Sequence, residues 1–484
     1  MTTQTIPGPN PLFGWRSNLV RFFVDPILFM SNLKARYGSV VTFAQGGNPA
    51  LAFSHPQTKF SYFLFGSKYN QQLLSDSEMF HSGPVMGPLY PHGEVGPRKA
   101  VLQRLGSGLF AVNGEEHRQQ RALVMPAFHK KQIMSYHQDM VTLAQAMLDS
   151  WQEGQTVNVA QEMMQLTLNV AGKCLFGLDF TQNGHSLGRL MQNWLRTLVR
   201  PALLLAPVDF PGLPYHYFLD LSVELDQAIR DLLAQKRANG LDGQDALSML
   251  LQTRDEAGVS LSEEEIIGHV NILVLAGHET SSQALTWTLF LLSQHPAVLA
   301  DLVDELQQNV PAGAPTLDQL TKLPLLDRVV KESMRLLPPV PMSARLASEP
   351  VEVDGYLVPQ WSELVFSHYH THHDPELYAE PERFRPERWQ TIQPTAYEYM
   401  PFSAGKRMCI GAPFALMEIK IVLALLLQRY RLEMPPNSKI DYLVTATIAP
   451  KQGLKMIIRP QDRQFQQSQQ PVTGTIRQLV ELPA

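Results

Sequence analysis

Phe402-Ser-Ala-Gly405-Lys-Arg407-Met-Cys409-Ile-Gly411 sets one of only two cysteines of the chain between two glycines and beside an arginine. Gly405 and Gly411 lack a Cβ, so the backbone can adopt positive φ and approach a large ligand closely. Arg407 brings positive charge. Directly after the motif, Ala412-Pro413 opens a helical stretch from Phe414 to about Tyr430, with proline suited to its first turn. The sulfur therefore sits by a helix N-terminus next to a cation, and both features are expected to favour the thiolate. Zinc and iron–sulfur sites need several Cys or His ligands at short spacing, which this region lacks. A single thiolate instead suits the axial position of a haem iron.

At these residues the chain resembles the cytochrome P-450 superfamily, whose haem-ligand motif Phe-x-x-Gly-x-Arg-x-Cys-x-Gly is present at every fixed position. The resemblance implies haem b with Cys409 as axial metal ligand, and Phe402, Gly405, Arg407 and Gly411 as neighbours of the cofactor.

A second signal begins at Ser262. Ser262 and Glu265 form a capping box, Glu263 and Glu264 complement the helix dipole, and the apolar pattern runs to Gln294 before His295-Pro296 stops it. Such a helix spans roughly 50 Å, enough to cross a domain. Its centre reads Ala276-Gly277-His278-Glu279-Thr280, where small residues leave room for a flat ligand and a hydroxyl can bond back to a carbonyl. In the resemblance this is the acid–alcohol pair over the oxygen-binding face, which makes Thr280 and Glu279 the expected catalytic residues and Ala276 and Gly277 cofactor contacts. Oxygen activation needs protons delivered to one oxygen atom, which a hydroxyl relayed through water to a carboxyl can supply. Family members that run on peroxide usually replace this pair.

Other segments take their meaning from that context. Glu332 and Arg335 share a helix face at i, i+3; the resemblance makes them, with Arg383, a buried charge network behind the haem, and Arg388 competes for the third place. His117 and Arg121, one helical turn apart, match the family's propionate-contact segment, and Arg345 and Arg407 match further propionate contacts. His368, His370, His372 and His373 raise the alternative of a metal site if they lie on a strand. Cys174 reads as a small core residue. The apolar, proline-broken stretch from Leu198 to Pro214 is either packing or, by its position in the family, a lid over a substrate entrance that touches membrane, with Ser82 to Leu109 as the other wall.

Helical patterns occupy Glu115 to Met125, Lys131 to Glu153, Val157 to Phe176 and Leu221 to Asn239. Short strand-like runs lie near the ends: Val40–Phe43, Ala50–Phe53, Val351–Val353, Leu364–Phe366 and Leu454–Ile458. The expectation is a mainly α fold with minor β structure (α+β), a P-450 fold formed by residues 1–460, followed by a loosely held polar tail over 461–484. Forty basic against 45 acidic residues, without a dense basic block, gives no sign of nucleic-acid binding. Two cysteines in different contexts fit a reducing cytoplasm, and neither a signal peptide nor an apolar run of about 18 residues is evident.

The expected activity is a haem-thiolate monooxygenase that hydroxylates or epoxidises a lipophilic molecule with O2. Its electrons would come from a separate ferredoxin or flavodoxin with its reductase, since no dinucleotide fingerprint or four-cysteine cluster follows the haem motif. Lys130, Lys131, Lys406, Arg407 and Lys420 are candidate docking residues. The alternatives are a haem-thiolate isomerase, dehydratase or peroxygenase, or a non-catalytic haem protein. Specificity lies in loops without a local code, so the substrate is not legible.

Overall fold

The computed structural model describes residues 5–483, apart from 12–13, 48–54, 84–88, 92, 179–184, 199, 201–202, 204–206, 242, 255–257, 311–312 and 466–469. It is mainly helical with small sheets, as expected. The organising element is the helix Glu263–Gln294, whose capping box is formed as the sequence predicts and whose C-cap is His295. Apolar residues cover nearly its whole circumference, so it runs through the interior with other helices around it. Its most extensive partner is Val159–Phe176, and Pro97–Leu105, Pro324–Leu336 and Ala412–Arg429 also pack on it. One apolar core joins these helices.

The β structure is peripheral. Five strands form a mixed sheet in the order Val40–Thr42, Ser61–Leu64, Glu363–Ser367, Met342–Ala347, Phe80–His81, with the second and third parallel and the rest antiparallel. Lys455–Pro460 lies between Thr156–Asn158 and Tyr430–Glu433. A two-stranded hairpin, Tyr442–Val444 and Ile448–Pro450, lies beside the central helix, held there by Trp287 Nε1 donating to the Ile448 carbonyl at 2.8 Å.

Several boundaries differ from the sequence reading. The helix expected over Lys131–Glu153 is two, Lys130–Ser135 and His137–Asp149, divided at Tyr136, whose ring packs edge-on against Phe414. The helix expected from Val157 starts at Val159, because Thr156–Asn158 pairs as a strand instead. The expected strand Ala50–Phe53 lies outside the described residues. Ser61–Leu64 and Met342–Ala347 were not anticipated as strands; the first is buried on both faces and so lacks the alternation that marks a half-exposed strand. The tail is not loosely held over 470–483. Val472, Ile476, Leu479, Val480 and Leu482 are buried in the main core, and Glu481 N donates to Glu382 O at 2.8 Å. Its glutamines masked an apolar set that turns inward at the short 3-10 turn Thr475–Gln478. No described helix is long and apolar enough to cross a membrane.

On Ala412–Arg429, Glu418 is fully buried, and burial pushes its carboxyl up to about 8, with Ser281 of the central helix as the polar neighbour that opposes the shift. Folded protein therefore holds a proton that the unfolded chain, with a carboxyl near pH 4.3, releases. Stability linked to this group is complete below that pH and is lost as pH rises toward 8. Glu418→Gln should melt close to the parent at pH 5 and above it at pH 8, as read by thermal unfolding across that window.

Candidate active site

The cysteine loop is shaped by two left-handed residues, Ser403 at φ 59° and Gly405 at φ 70°. A Cβ on Gly405 would meet the Leu74 carbonyl oxygen at 2.0 Å, so this glycine serves a backbone crossing with the helix Ser67–Ser75. Gly411 has an ordinary φ of −84° as the N-cap of Ala412–Arg429, and a Cβ there would lie 3.8 Å from the Cys409 sulfur. It is therefore not needed for positive φ, contrary to the sequence reading. The Cys409 amide donates to the Phe402 carbonyl at 2.9 Å, which closes the loop.

The Cys409 thiol receives hydrogen bonds from the backbone N–H groups of Gly411 and Ala412, and Arg121 favours its thiolate electrostatically. Burial outweighs these influences in the protein alone and pushes the thiol up, reversing the direction expected from the helix N-terminus and the cation. The cation that acts on it is also different: Arg121, which donates to Met408 O at 2.8 Å, in place of Arg407. Yet Cys409 keeps accessible surface. Cys409 is thus surrounded densely enough to be desolvated and yet keeps surface that a ligand can reach.

The central helix meets the same condition. It is buried from Ile266 to Val274 and from Ser281 to Leu292, but Leu275, Ala276, Gly277, Glu279 and Thr280 keep accessible surface. Thr280 Oγ1 donates to the Ala276 carbonyl at 2.8 Å, the back-bond anticipated from sequence. A Cβ on Gly277 would lie 3.5 Å from Leu175 and 3.9 Å from Ala171 of Val159–Phe176, ordinary contact distances, so this position also borders the helix–helix contact. Glu279 accepts a 2.6 Å hydrogen bond from Thr447 Oγ1 on the turn of the 442–450 hairpin. No local pattern marked Thr447, and only the fold brings it to this acid.

Arg121, Arg345, Arg407 and His117 form one electrostatic group. Burial, followed by Arg407, Arg121 and Arg345, lowers His117 to about 4. Arg345 is lowered to about 10 by burial and by Arg407, and Arg407 to about 10 by burial and by Arg121. Arg345 donates to Ala344 O at 2.8 Å, while Arg407 reaches Leu109 O at 3.2 Å and Asn113 Oδ1 at 2.6 Å and leaves its buried Nε without a partner. Among the described residues none of the three arginines forms an ion pair. Three mutually repelling guanidiniums around a buried imidazole make a receptor for a dianion, which is what the two propionates of a haem present.

Behind the cysteine loop, Glu332 is fully buried and accepts from Arg335 Nε and Nη2 at 3.0 and 2.9 Å, from Arg388 Nε at 2.9 Å and from Trp389 Nε1 at 2.9 Å. The third member is therefore Arg388. The 3-10 turn Pro386–Gln390 carries it back to Glu332, whereas the half-exposed Arg383 side chain points to Glu380 and Glu481 and supplies only its carbonyl to Arg335. The histidine run forms a helix, His368–His372, not a strand. His370 bonds Ser367 and Ser31, His372 accepts from the Met400 amide, and no metal-ligand cluster occurs among the described residues. Cys174 is buried in the core. Of the candidate docking cations, Lys130, Lys131 and Lys406 are exposed, while Arg407 turns inward and Lys420 pairs with Asp327 at 2.7 Å.

Comparison with known proteins agrees with this geometry. The family described as Cytochrome P450 matches residues 6–457. Cyclooctatin synthase of Streptomyces melanosporofaciens is 31% identical, over 90% of this chain and 91% of its own length. Cyclooctat-9-en-7-ol 5-monooxygenase of the same organism is 30% identical, over 91% of each. Among solved structures, retinoic-acid-bound cyanobacterial CYP120A1 superposes with a TM-score of 0.80 at 24% identity, covering 95% of this chain and 100% of that one, a likeness of fold.

The two arginines that compete for Glu332 separate by mutation. Arg388→Ala leaves a buried carboxylate under-compensated and should cost about 3–5 kcal/mol, whereas Arg383→Ala should stay within about 0.5 kcal/mol. Denaturant unfolding of both variants checks the assignment.

Proposed function

The chain belongs to the cytochrome P450 family, and on that premise we propose that it hydroxylates a lipophilic terpenoid-type molecule, with Cys409 as the axial ligand of haem b and Glu279 and Thr280 handling the protons. The family is one of haem-thiolate monooxygenases that use O2 and electrons from a redox partner. In balance, R–H, O2, two electrons and two protons give R–OH and water. The observations that carry the reading are the loop that presents an accessible Cys409 and the accessible interruption of the central helix at Leu275–Thr280, which this reading sets on two sides of one haem-sized hollow.

Bound there, haem supplies the oxygen-activating chemistry, strengthened by thiolate donation. The chain's own residues do the rest. Gly411 and Ala412 N–H groups and Arg121 stabilise the sulfur's charge against burial. Arg121, Arg345 and Arg407 with His117 hold the propionates, and the arrival of those anions raises His117 from its depressed state. Thr280, anchored to Ala276, offers a hydroxyl that orients water at the apolar face of the helix, and Glu279 stands next to it in sequence as the acid that renews its proton.

Terpenoid chemistry is favoured by the two Streptomyces relatives and by pentalenene oxygenase of Streptomyces avermitilis, 28% identical over 93% of this chain. The entrance suits such a substrate. Val208 and Phe210 are exposed within the proline-broken stretch, and Arg98 ties that stretch to Pro97–Leu105 through Asp209 at 2.8 Å. Residues 199, 201–202 and 204–206 of the expected lid lie outside the described residues. A ferredoxin or flavodoxin is the donor in this reading, docking on Lys130, Lys131 and Lys406, and the cytoplasm is the compartment that holds such donors.

Titrating the ferric protein with cyclic terpene hydrocarbons, terpene alcohols and fatty acids tests the substrate class. Terpenoids should convert the low-spin haem spectrum to high spin, and a response to fatty acids alone would overturn the class. With a surrogate electron donor, Thr280→Ala should release reduced oxygen as peroxide in place of product, at a substrate affinity close to that of the parent. Full turnover without any electron donor would instead select the isomerase reading.

A further inference from the structure

The acid and the alcohol of the proton-handling pair do not bond each other: Thr280 donates to Ala276 O at 2.8 Å, and Glu279 is engaged by Thr447 at 2.6 Å. Thr447 is 2% exposed, so the hydroxyl side of this contact is shielded from bulk water while Glu279 keeps accessible surface. It sits on a turn closed by Thr445 N to Thr447 O at 3.0 Å. On one side, the hairpin is fixed to the same helix by Trp287 Nε1 to Ile448 O at 2.8 Å; on the other, Ile448 N donates to Pro339 O at 3.0 Å. The Glu279 carboxyl is thus held by an element 168 residues away in sequence, which is itself bolted to the helix two turns further on.

Resting on the reading above that Glu279 and Thr280 handle protons, we propose that Thr447 is a positioning residue for proton delivery, fixing the Glu279 carboxyl through the 442–450 hairpin. A threonine hydroxyl suits the task because it donates to an ionised carboxylate and accepts from a protonated one, so the contact persists through both halves of a proton transfer. Valine has the same shape and neither capacity. The hairpin's tip residues Thr445 and Ala446 are exposed, so a molecule pressing on the turn is transmitted to the acid through the next residue, Thr447.

The test compares Thr447→Val with Thr447→Ser, alongside Glu279→Gln and Thr280→Ala, in the haem-loaded protein. The infrared carboxyl band that disappears in Glu279→Gln should shift in Thr447→Val and stay in place in Thr447→Ser. Product formed per electron consumed should fall on the order of tenfold in Thr447→Val, less than on losing the acid itself, and recover in Thr447→Ser. An unshifted band with parent-like coupling in Thr447→Val overturns the role of Thr447, provided Glu279→Gln and Thr280→Ala do uncouple. If those two variants keep parent-like coupling, the proton-handling reading fails and takes this proposal with it.

Discussion

A helix of 32 residues that is packed on almost every side must nevertheless keep surface accessible at its middle, and most of the architecture follows from meeting both demands. Close packing favours filling interior space, because an empty apolar cavity forfeits dispersion contacts. Here the packing gives way over Leu275–Thr280 and resumes at Ser281. Leu175 and Ala171 of Val159–Phe176 pack beside Gly277. The sulfur, for its part, has to be presented at a fixed point. A tight loop does this, closed by Cys409 N to Phe402 O and pressed at Gly405 against the Leu74 carbonyl.

Electrostatics divides the surroundings of the hollow into two regions with opposite solutions. Glu332 is sealed from water and fully compensated by Arg335, Arg388 and Trp389, a self-sufficient network whose loss of any one cation leaves buried charge. Arg121, Arg345 and Arg407 form no ion pair among the described residues, and burial depresses all three pKa values, with neighbouring guanidiniums adding to the effect at Arg345 and Arg407. A fold tolerates the second arrangement when an anionic ligand completes it. The same logic applies to the sulfur, where two amides and Arg121 fall short of offsetting burial and a bound cation such as iron supplies the remainder.

The cysteine loop, the central helix with its capping box and the Glu332–Arg335 pair were legible in the sequence because each depends on residues within a few positions of one another. What was not legible depends on chain reversal. Arg383 and Arg388 have equivalent local contexts, and only the turn Pro386–Gln390 decides which one reaches Glu332. Likewise, Arg121 displaces Arg407 as the cation of the sulfur because Arg407 is drawn away to Leu109 and Asn113. The docked C-terminal residues escaped notice because their five buried side chains are scattered among polar ones with no regular period. Thr447 is the extreme case, a hydroxyl whose relevance exists only in three dimensions.

The central claim is that Cys409 delivers a thiolate to a haem held in this hollow. The most direct measurement is the absorption spectrum of the reduced, carbon-monoxide-bound protein beside that of Cys409→Ser. The account predicts the strongly red-shifted Soret band of a thiolate-ligated haem in the parent and its loss in the variant. A parent spectrum of the histidine-ligated type, or a red-shifted band that survives Cys409→Ser, would contradict it.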